Sequence, residues 1–425
     1  MVKAKLRLKA RIVPALVAIL VVIEILGFYR GWRVLLVGLG LAWLLGYLWA
    51  RSLAGGLRLR RELRFGWVQV GEQLVERMTL HNEGKFPALW IEFNDHSSLP
   101  NHAVGRSLSI GSRSSVRWFI DTVCSIRGLF NLGPVSMRAG DPFGFYEVEL
   151  IYPTSVPVLV LPQVVPLPTI PLARGGRAEE GEVTQRAIER TVSAASVREY
   201  QAGDYHRWIH WPTTARRNEL FVRVFDAAPA GDLWIVLDMF EGAHVGVGEQ
   251  STQEHAVVIA ASLADRALQR GRPVGLVSAD DELVWKRPRG GEFQRLGILH
   301  ALALVSIGKR PLADLLLSLS LTFGNDSSLV VLTPDTDPIW VEALAALTRN
   351  GISASVMMFD PRSFGGEGDV DRVRSSLVEL GVESHLVTPD LLEGAAGTLE
   401  TPMQRIDFML APAYQSAQEA WEVVL

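Results

Sequence analysis

The sequence predicts a chain of three structural parts: a transmembrane helical hairpin, a β-sandwich-like domain and a doubly wound α/β domain. Three observations predict this multi-domain fold class. Two apolar runs stand near the N-terminus, and the mean hydropathy of +0.19 is high for a soluble protein. Short segments with alternating apolar and polar residues follow, and strands then alternate with helices from residue 231 onward.

The 425 residues are enough for two or three domains. The composition shifts along the chain predict five segments. They are a transmembrane hairpin (1–56), a β-rich sandwich-like domain (57–165), a connector and loop (166–195), an arginine-rich signature segment (196–228) and the α/β domain (229–425).

The N-terminal 64 residues form a basic, apolar head on an acidic body. They hold 12 Lys and Arg against 2 Asp and Glu, whereas the rest of the chain holds 30 against 44. The apolar runs at 12–29 and 34–50 are each about 17–18 residues long, the lower limit for a bilayer-spanning helix. We favour a membrane hairpin over two buried core helices. A secretory signal peptide is disfavoured because no small-residue cleavage site precedes the second run.

The flanking charges predict the orientation of this hairpin. Five basic residues precede the first run and five follow the second, whereas only Arg30 and Arg33 lie between them. The positive-inside rule then places both ends in the cytoplasm. We therefore expect a two-pass protein of the cell (inner) membrane with the bulk of the chain cytoplasmic. Glu24, inside the first run, is predicted to be protonated or snorkelling rather than to bind a partner.

Composition also excludes several function classes. The acidic body argues against nucleic-acid binding, because phosphate contacts need clustered Lys and Arg. The single cysteine, Cys124, rules out an intramolecular disulfide and a cysteine-ligated zinc site. Nothing in residues 57–165 resembles a catalytic motif, and we predict that His81, His96 and His102 are surface or loop residues.

The densest pattern of charged and aromatic residues lies in residues 197–226. Guanidinium groups pair with carboxylates and stack on aromatic rings. Two interpretations remain open: a binding site for an anion or acidic partner, and an internal ion-pair network between domains, which we favour. His206 and His210 stand four residues apart but lack a third ligand, so we predict no metal there. The candidate site residues are Arg198, Tyr200, Asp204, Arg207, Trp211, Arg216 and Arg223.

This segment closely resembles the hallmark segment of the bacterial domain of unknown function 58 family. Gly133-Pro134 and Asp141–Gly144 match two further family elements, so the resemblance covers nearly the whole architecture. It implies a membrane hairpin, a β-rich segment and an α/β half similar to the von Willebrand factor A module. No established reaction comes with it. The matching residues of the hallmark segment are Arg198, Tyr200, Gly203, Asp204, Arg207, Ile209, Trp211, Ala215, Arg216, Leu220, Val222 and Arg223.

The resemblance also implies where a metal site would lie. The von Willebrand A module commonly binds Mg²⁺ through Asp-x-Ser-x-Ser after its first strand. Here Asp238 follows the strand, but Phe240 and Gly242 replace both hydroxyl residues. We therefore predict a degenerate metal-site position without metal, in which Asp238 caps the strand end or binds a partner. Asp335 and Asp337 follow another strand and could supply carboxylates to the same edge.

These observations favour a non-enzymatic, membrane-anchored adaptor or scaffold that binds protein partners. The family resemblance implies a MoxR-type AAA+ ATPase as one partner. We find no Walker loop, dinucleotide fingerprint or nucleophile elbow, so we expect neither enzyme activity nor a cofactor. Two alternatives remain: a structural envelope protein whose hairpin oligomerises, and an enzyme or anion-binding protein that uses the cluster of Arg198, Arg207, Arg216 and Arg223.

Overall fold

The computed structural model of the protein divides into two compact units, which we describe separately. The first extends to Gln163, and the second begins at Val164. The described residues are 2–27, 29–102, 104–168, 194–200, 209–217, 219–225, 231–280, 283–319 and 327–392.

The first unit begins with a strand and two helices: β1 (Lys3–Leu8), α1 (Ile12–Leu26) and α2 (Arg30–Gly56). Among the described helices, α2 is the one long and apolar enough to cross a membrane, by length and composition, whereas α1 has 15 residues. The basic residues before α1, which we expected to be only a charged flank, form an edge strand. Their Lys-x-Lys-x-Arg alternation keeps the charges in solvent.

Ten further strands confirm that the region after α2 is β-rich. Strand β1 joins a five-stranded sheet of order β1-β10-β9-β5-β6, beside three-stranded sheets of order β2-β4-β7 and β3-β11-β8. Side chains from the five-stranded sheet and from the β2-β4-β7 sheet, such as Phe93 and Met78, share one core with Leu53 of α2. The strands are β2 (Leu57–Leu63), β3 (Trp67–Gln69), β4 (Gln73–Asn82), β5 (Ala88–Asp95), β6 (Gly105–Ile110), β7 (Ser114–Val123), β8 (Gly128–Leu132), β9 (Val135–Gly140), β10 (Tyr146–Tyr152) and β11 (Val156–Leu161).

The tight turn at Asp141–Gly144 fixes α2 on this core. Asp141 is buried, and its carboxylate accepts hydrogen bonds from the backbone N–H groups of Phe143 (2.9 Å) and Tyr146 (2.5 Å). A Cβ on Gly46 of α2 would lie 3.1 Å from Asp141 Oδ2, so the glycine permits this close approach. The C-terminal half of α2 is therefore part of the first unit rather than a free membrane segment.

The three histidines of this unit do not share one environment. His81 and His96 are exposed, as predicted. His102 is only 5% exposed, so the prediction of a surface or loop histidine is wrong for its side chain, although its backbone lies in the loop between β5 and β6. Its burial is compatible with its polarity because Thr122 and Asp95 supply hydrogen-bonding partners for its two ring nitrogens, and the Glu76 carboxylate lies 3.4 Å away.

The second unit confirms the predicted alternation of strands and helices. A two-stranded ladder of β12 and β13 flanks the short helix α3, and a six-stranded mixed sheet follows in the order β16-β15-β14-β17-β18-β19. Its strands are parallel except β16, which runs antiparallel at one edge. The elements are β12 (Ala194–Glu199), α3 (Trp211–Arg217), β13 (Phe221–Phe225), β14 (Leu233–Leu237), α4 (Thr252–Gln269), β15 (Val274–Ala279), β16 (Leu283–Arg289), α5 (Glu292–Leu304), α6 (Leu312–Leu319), β17 (Ser328–Thr333), α7 (Ile339–Arg349), β18 (Ser353–Phe359), α8 (Val370–Glu379) and β19 (Glu383–Val387).

The sheet positions three loops at one edge. Every residue of β14 and β17 is buried, and Trp340 and Leu344 of α7 pack in the core cluster that includes residues of both strands. Because β14, β17 and β18 are parallel neighbours, their carboxyl ends face the same edge. The loops 238–251, 334–338 and 360–369 leave the sheet there. We call this region the carboxyl edge.

Candidate functional site

The described part of the arginine-rich segment forms the β12–α3–β13 unit. Arg198 lies opposite Val222 and Arg223 opposite Val197 in the β12–β13 ladder, but the side chains of both arginines lie outside the described residues. Asp204 and Arg207 also lie outside them, as does His206. The backbone therefore places two of the four predicted arginines on adjacent strands, while the predicted cluster as a whole is not described.

The remaining signature residues lie at the ends of this unit. The Tyr200 N–H donates to the carbonyl of Leu220 at 2.8 Å, which extends the ladder by one residue. Trp211, at the start of α3, is 66% exposed, and Arg216 near the helix end is also exposed. Thus α3 presents an aromatic ring and a guanidinium group to solvent. His210 Nδ1 lies 2.7 Å from Thr213 Oγ1, a local bond at the helix start.

Asp238 is the predicted site residue that the structure describes most fully. It follows β14, is 1% exposed, and uses both carboxylate oxygens. Oδ1 accepts the Phe240 N–H at 3.0 Å, and Oδ2 accepts the Thr333 hydroxyl at 2.6 Å. The Thr333 hydroxyl oxygen in turn accepts the N–H of Asp335 at 2.9 Å. Asp238 thus joins the ends of β14 and β17 and caps both strands.

The loop after Asp238 is held by further hydrogen bonds. His244 Nε2 lies 2.9 Å from the backbone carbonyl of Asp238, and His244 Nδ1 lies 3.0 Å from Thr252 Oγ1. The N–H of Glu241 donates to the Gly308 carbonyl, and the Gly308 N–H donates to the Met239 carbonyl, each at 2.8 Å. These bonds fix the backbone of residues 238–244 on the sheet.

Burial sets the protonation of this edge. Burial raises the pKa of Asp238 to about 7, although the hydrogen bonds from Thr333 and Phe240 oppose the shift. Burial also raises the pKa of Asp335. The pKa of His244 is lowered by burial, so its ring is neutral near pH 7. The edge therefore holds a carboxyl group that is about half protonated near neutral pH, with an uncharged imidazole beside it.

The residues present do not fit a Mg²⁺ ion at Asp238. Magnesium demands an octahedral set of oxygen ligands. Both oxygens of Asp238 already accept hydrogen bonds from the protein, and neither Phe240 nor Gly242 has a side-chain oxygen. The arrangement functions as a strand cap that makes the edge rigid.

The outer surface of the carboxyl edge combines apolar and acidic side chains. Val247 is 91% exposed and Ile339 is 63% exposed. The loop 360–369 packs on the other two, since a Cβ on Gly366 would lie 2.6 Å from Val245 Cγ1 and a Cβ on Gly368 would lie 3.1 Å from Thr336 Cγ2. Arg362 is the one basic residue in these loops. We define the carboxyl-edge surface by its two apolar residues and its exposed carboxylates: Val247, Ile339, Glu241, Glu249, Asp337 and Glu367.

Sequence reasoning found Asp238 but missed Thr333 and His244. Thr333 is the last residue of the buried strand β17. A hydroxyl side chain at the end of one strand can bind an aspartate that follows a neighbouring parallel strand, and this is the signal that indicates Thr333. Recognising it requires knowing that β14 and β17 are neighbours. His244 carried no comparable signal, because its partners are a backbone carbonyl and Thr252.

Solved structures with some likeness to this chain give no functional guidance. The CARDB domain of a Pyrococcus furiosus protein is 9% identical, covers 25% of this chain and 87% of that domain, and has a TM-score of 0.19. Proximal thread matrix protein 1 from the mussel byssus is 14% identical, covers 40% of this chain and 44% of its own, and has a TM-score of 0.28. Neither score is high enough to carry an argument.

Comparisons of the sequence are more informative. The uncharacterised protein YeaD of Bacillus subtilis (strain 168) is 25% identical over 224 residues, which cover 51% of this chain and 54% of the relative. The matched region therefore spans about half the length of that relative. A family model, described as protein of unknown function DUF58, matches residues 196–315. The match and the relative together support the DUF58 family for this chain.

Proposed function

We propose that this chain is a membrane-anchored cytoplasmic adaptor, without enzymatic activity, that binds a protein partner at the carboxyl-edge surface. One observation carries the proposal: this edge exposes Val247 on a loop and Ile339 at the start of α7, beside strand ends that buried hydrogen bonds join. Exposed apolar side chains rimmed by polar residues are typical of protein-binding surfaces. A preorganised surface also loses less conformational entropy when it binds.

The topology of the second unit supports a domain similar to the von Willebrand factor A module. Strand β14, which Asp238 follows, lies centrally between β15 and β17, and β16 is the antiparallel edge strand. Ligands of open α/β sheets bind outside the carboxyl ends of the strands. With Phe240 and Gly242 in place of hydroxyl residues, the edge would engage a partner through apolar and acidic groups rather than through a metal.

The strand pairing of the first unit supports a two-helix membrane anchor. Strand β1 precedes α1, and its partner β10 follows α2, with Lys5 opposite Glu149. Both ends of the helix pair therefore return to one sheet, so that α1 and α2 would leave and re-enter on the same side of a bilayer. The basic flanks place that side in the cytoplasm.

The chemistry of the surface defines the partner that fits it. The loops of the carboxyl edge hold one basic residue, Arg362, against several exposed carboxylates. A complementary partner has a basic rim around an apolar pocket that accepts Val247 or Ile339. The family resemblance makes a MoxR-type AAA+ ATPase the partner that we propose.

The test compares two surface valines of the same unit. Val247 lies at the carboxyl edge, whereas Val378, 71% exposed, lies near the C-terminal end of α8, toward the opposite edge of the sheet. We expect Val247→Asp to reduce co-purification of the ATPase with the full-length protein in mild detergent at least tenfold. Val378→Asp should leave it unchanged. Equal recovery with both variants, or no recovery with the unsubstituted protein, would contradict the proposal.

A further inference from the structure

A cluster of polar residues lies inside the β-rich unit, at strand positions where the alternation of buried and exposed residues predicts apolar side chains. On β2, β4 and β7, alternate residues such as Leu59, Met78 and Trp118 are buried in the apolar core. Arg61 and Glu76 continue the same alternation on β2 and β4, as Thr122 does on β7, and all three are buried. Polar residues in core positions of three neighbouring strands require a common explanation.

Two further residues complete this cluster. Asp95 is the last residue of β5, and His102 lies in the loop that follows. The side chains of Glu76, Asp95 and His102 are 0% exposed. His102 Nε2 lies 3.2 Å from Asp95 Oδ2 and 3.4 Å from Glu76 Oε1, while His102 Nδ1 lies 2.8 Å from Thr122 Oγ1. Two carboxylates thus face one ring nitrogen, and a hydroxyl holds the other.

Hydrogen bonding within the cluster is incomplete. The side chain of Glu76 is fully buried, yet neither of its carboxylate oxygens accepts a hydrogen bond from the described residues. The Arg61 guanidinium donates to Asp95 and lies 3.0 Å from Glu76 Oε2 as an ion pair. The other Glu76 oxygen, Oε1, is directed at His102. A buried carboxylate without a hydrogen bond is costly, which points to a missing ligand.

The charges of the cluster lead to the same conclusion. With a neutral imidazole, the two carboxylates and Arg61 carry a net charge of −1 in the interior. The one guanidinium lies against both carboxylates and compensates the charge of only one of them. A further positive charge between Glu76 and His102 would complete the cluster.

We propose that Glu76, Asp95 and His102 bind a divalent transition-metal ion of the Zn²⁺ class. Two ligands of a tetrahedral Zn²⁺ ion, each at ~2.0–2.1 Å, lie about 3.3 Å apart. The His102 nitrogen lies at this separation from each carboxylate oxygen, and the ligand atoms of all three residues lie within 4.8 Å of one another. Carboxylate oxygens and imidazole nitrogens both bind such an ion, and three protein ligands with a water molecule as the fourth complete its coordination.

The surrounding residues form the outer shell that such a site requires. With His102 Nε2 as the ligand, Nδ1–H donates to Thr122 Oγ1, which fixes the ring. Ser97 Oγ donates to Asp95 Oδ1 at 2.7 Å and accepts the Gly133 N–H at 2.9 Å. A Cβ on Gly133, whose φ is +92°, would lie 3.3 Å from an Arg61 nitrogen. The Gly133-Pro134 motif thus packs against this shell.

Cobalt binding tests the site directly. The full-length protein, purified in mild detergent without a polyhistidine tag and stripped with EDTA, would be titrated with Co²⁺ at about pH 7.5. We expect one bound equivalent with the visible d–d absorption of tetrahedral Co²⁺, displaced by Zn²⁺. Added Zn²⁺ should also raise the thermal unfolding midpoint of the stripped protein. If the unsubstituted protein gives no d–d band and no Zn²⁺-dependent shift, the cluster is an ion-pair network and the proposal is overturned.

Variants separate the site from background binding by the other histidines. His102→Gln and Glu76→Gln should abolish the d–d band, whereas His96→Gln, which alters an exposed histidine of the same unit, should retain it. Thr122→Val preserves side-chain shape and keeps all three ligands, so it is the variant to use if the others do not fold. We expect it to weaken Co²⁺ binding about 10–100-fold. Unchanged binding in His102→Gln or in Thr122→Val would refute the assignment.

Discussion

The raised pKa of Asp238 predicts a pH-dependent stability of the α/β unit. Because the pKa of Asp238 is about 7 in the folded protein and 3.8 for an ordinary aspartate, the folded state holds a proton that the unfolded chain has lost. The contribution of this proton to the free energy of unfolding is therefore fully present below about pH 4 and is lost as the pH rises through 7. Integrating the proton linkage from about pH 5 to 8 gives a loss of about 2–3 kcal/mol in the free energy of unfolding. Asp238→Asn cannot titrate and should lack this loss.

Hydrogen exchange of the full-length protein measures this difference locally. Peptides that cover β14 and β17 report the opening free energy of the sheet, once intrinsic exchange rates are corrected at each pH. The ratio of protection factors, unsubstituted protein over Asp238→Asn, should fall on the order of 10²-fold from about pH 5 to 8. Titrating groups that do not interact with Asp238 cancel in this ratio. A ratio that is constant, or that rises with pH, would refute the assignment of a proton to Asp238.

Two further predictions concern the anchor and the carboxyl edge. A Gly27→Cys variant should be labelled from outside intact cells by a membrane-impermeant maleimide. Cys124 should not react, because it is buried and burial raises its pKa to about 11. External labelling of a Val247→Cys variant would contradict the topology. Gly308→Ala should destabilise the edge by about 1–3 kcal/mol in thermal unfolding, because its Cβ would lie 2.3 Å from the backbone of Asp280. Gly297→Ala, in open space on α5, should instead stabilise by about 0.5–1 kcal/mol, and equal effects would contradict this account.

Periodicity predicted the buried elements well and the edge strands poorly. Helix α4, Thr252–Gln269, is an example of a regular buried pattern, because its small apolar residues recur on one face. Strand β16 was missed because its segment, Leu-Val-Trp-Lys-Arg-Pro-Arg, lacks a buried-strand pattern. Edge strands carry charges and proline because they need not pack on both sides. Strand β1 is not predicted for the same reason, since its alternating lysines also fit the basic flank of a membrane helix.

Contacts between distant strands limited the prediction of sites. Asp238 was found because a family motif marked it, but its partner Thr333 lies 95 residues away in sequence. Glu76 did carry a local signal, because it occupies an apolar position between Leu74 and Met78 on β4. No local pattern joins Glu76 to His102, so this signal alone does not predict the cluster. Such pairs are created by the tertiary fold rather than by sequence spacing.

Site-specific photo-cross-linking in living cells tests the adaptor account most directly. A photoreactive amino acid placed at Val247 contacts whatever binds the carboxyl-edge surface, and the same residue at Val378 provides the matched control. The account predicts an ultraviolet-dependent cross-link from position 247 to a MoxR-type AAA+ ATPase and none from position 378. Cross-linking to that ATPase from position 378 alone, or from neither position while the ATPase is present, would contradict it.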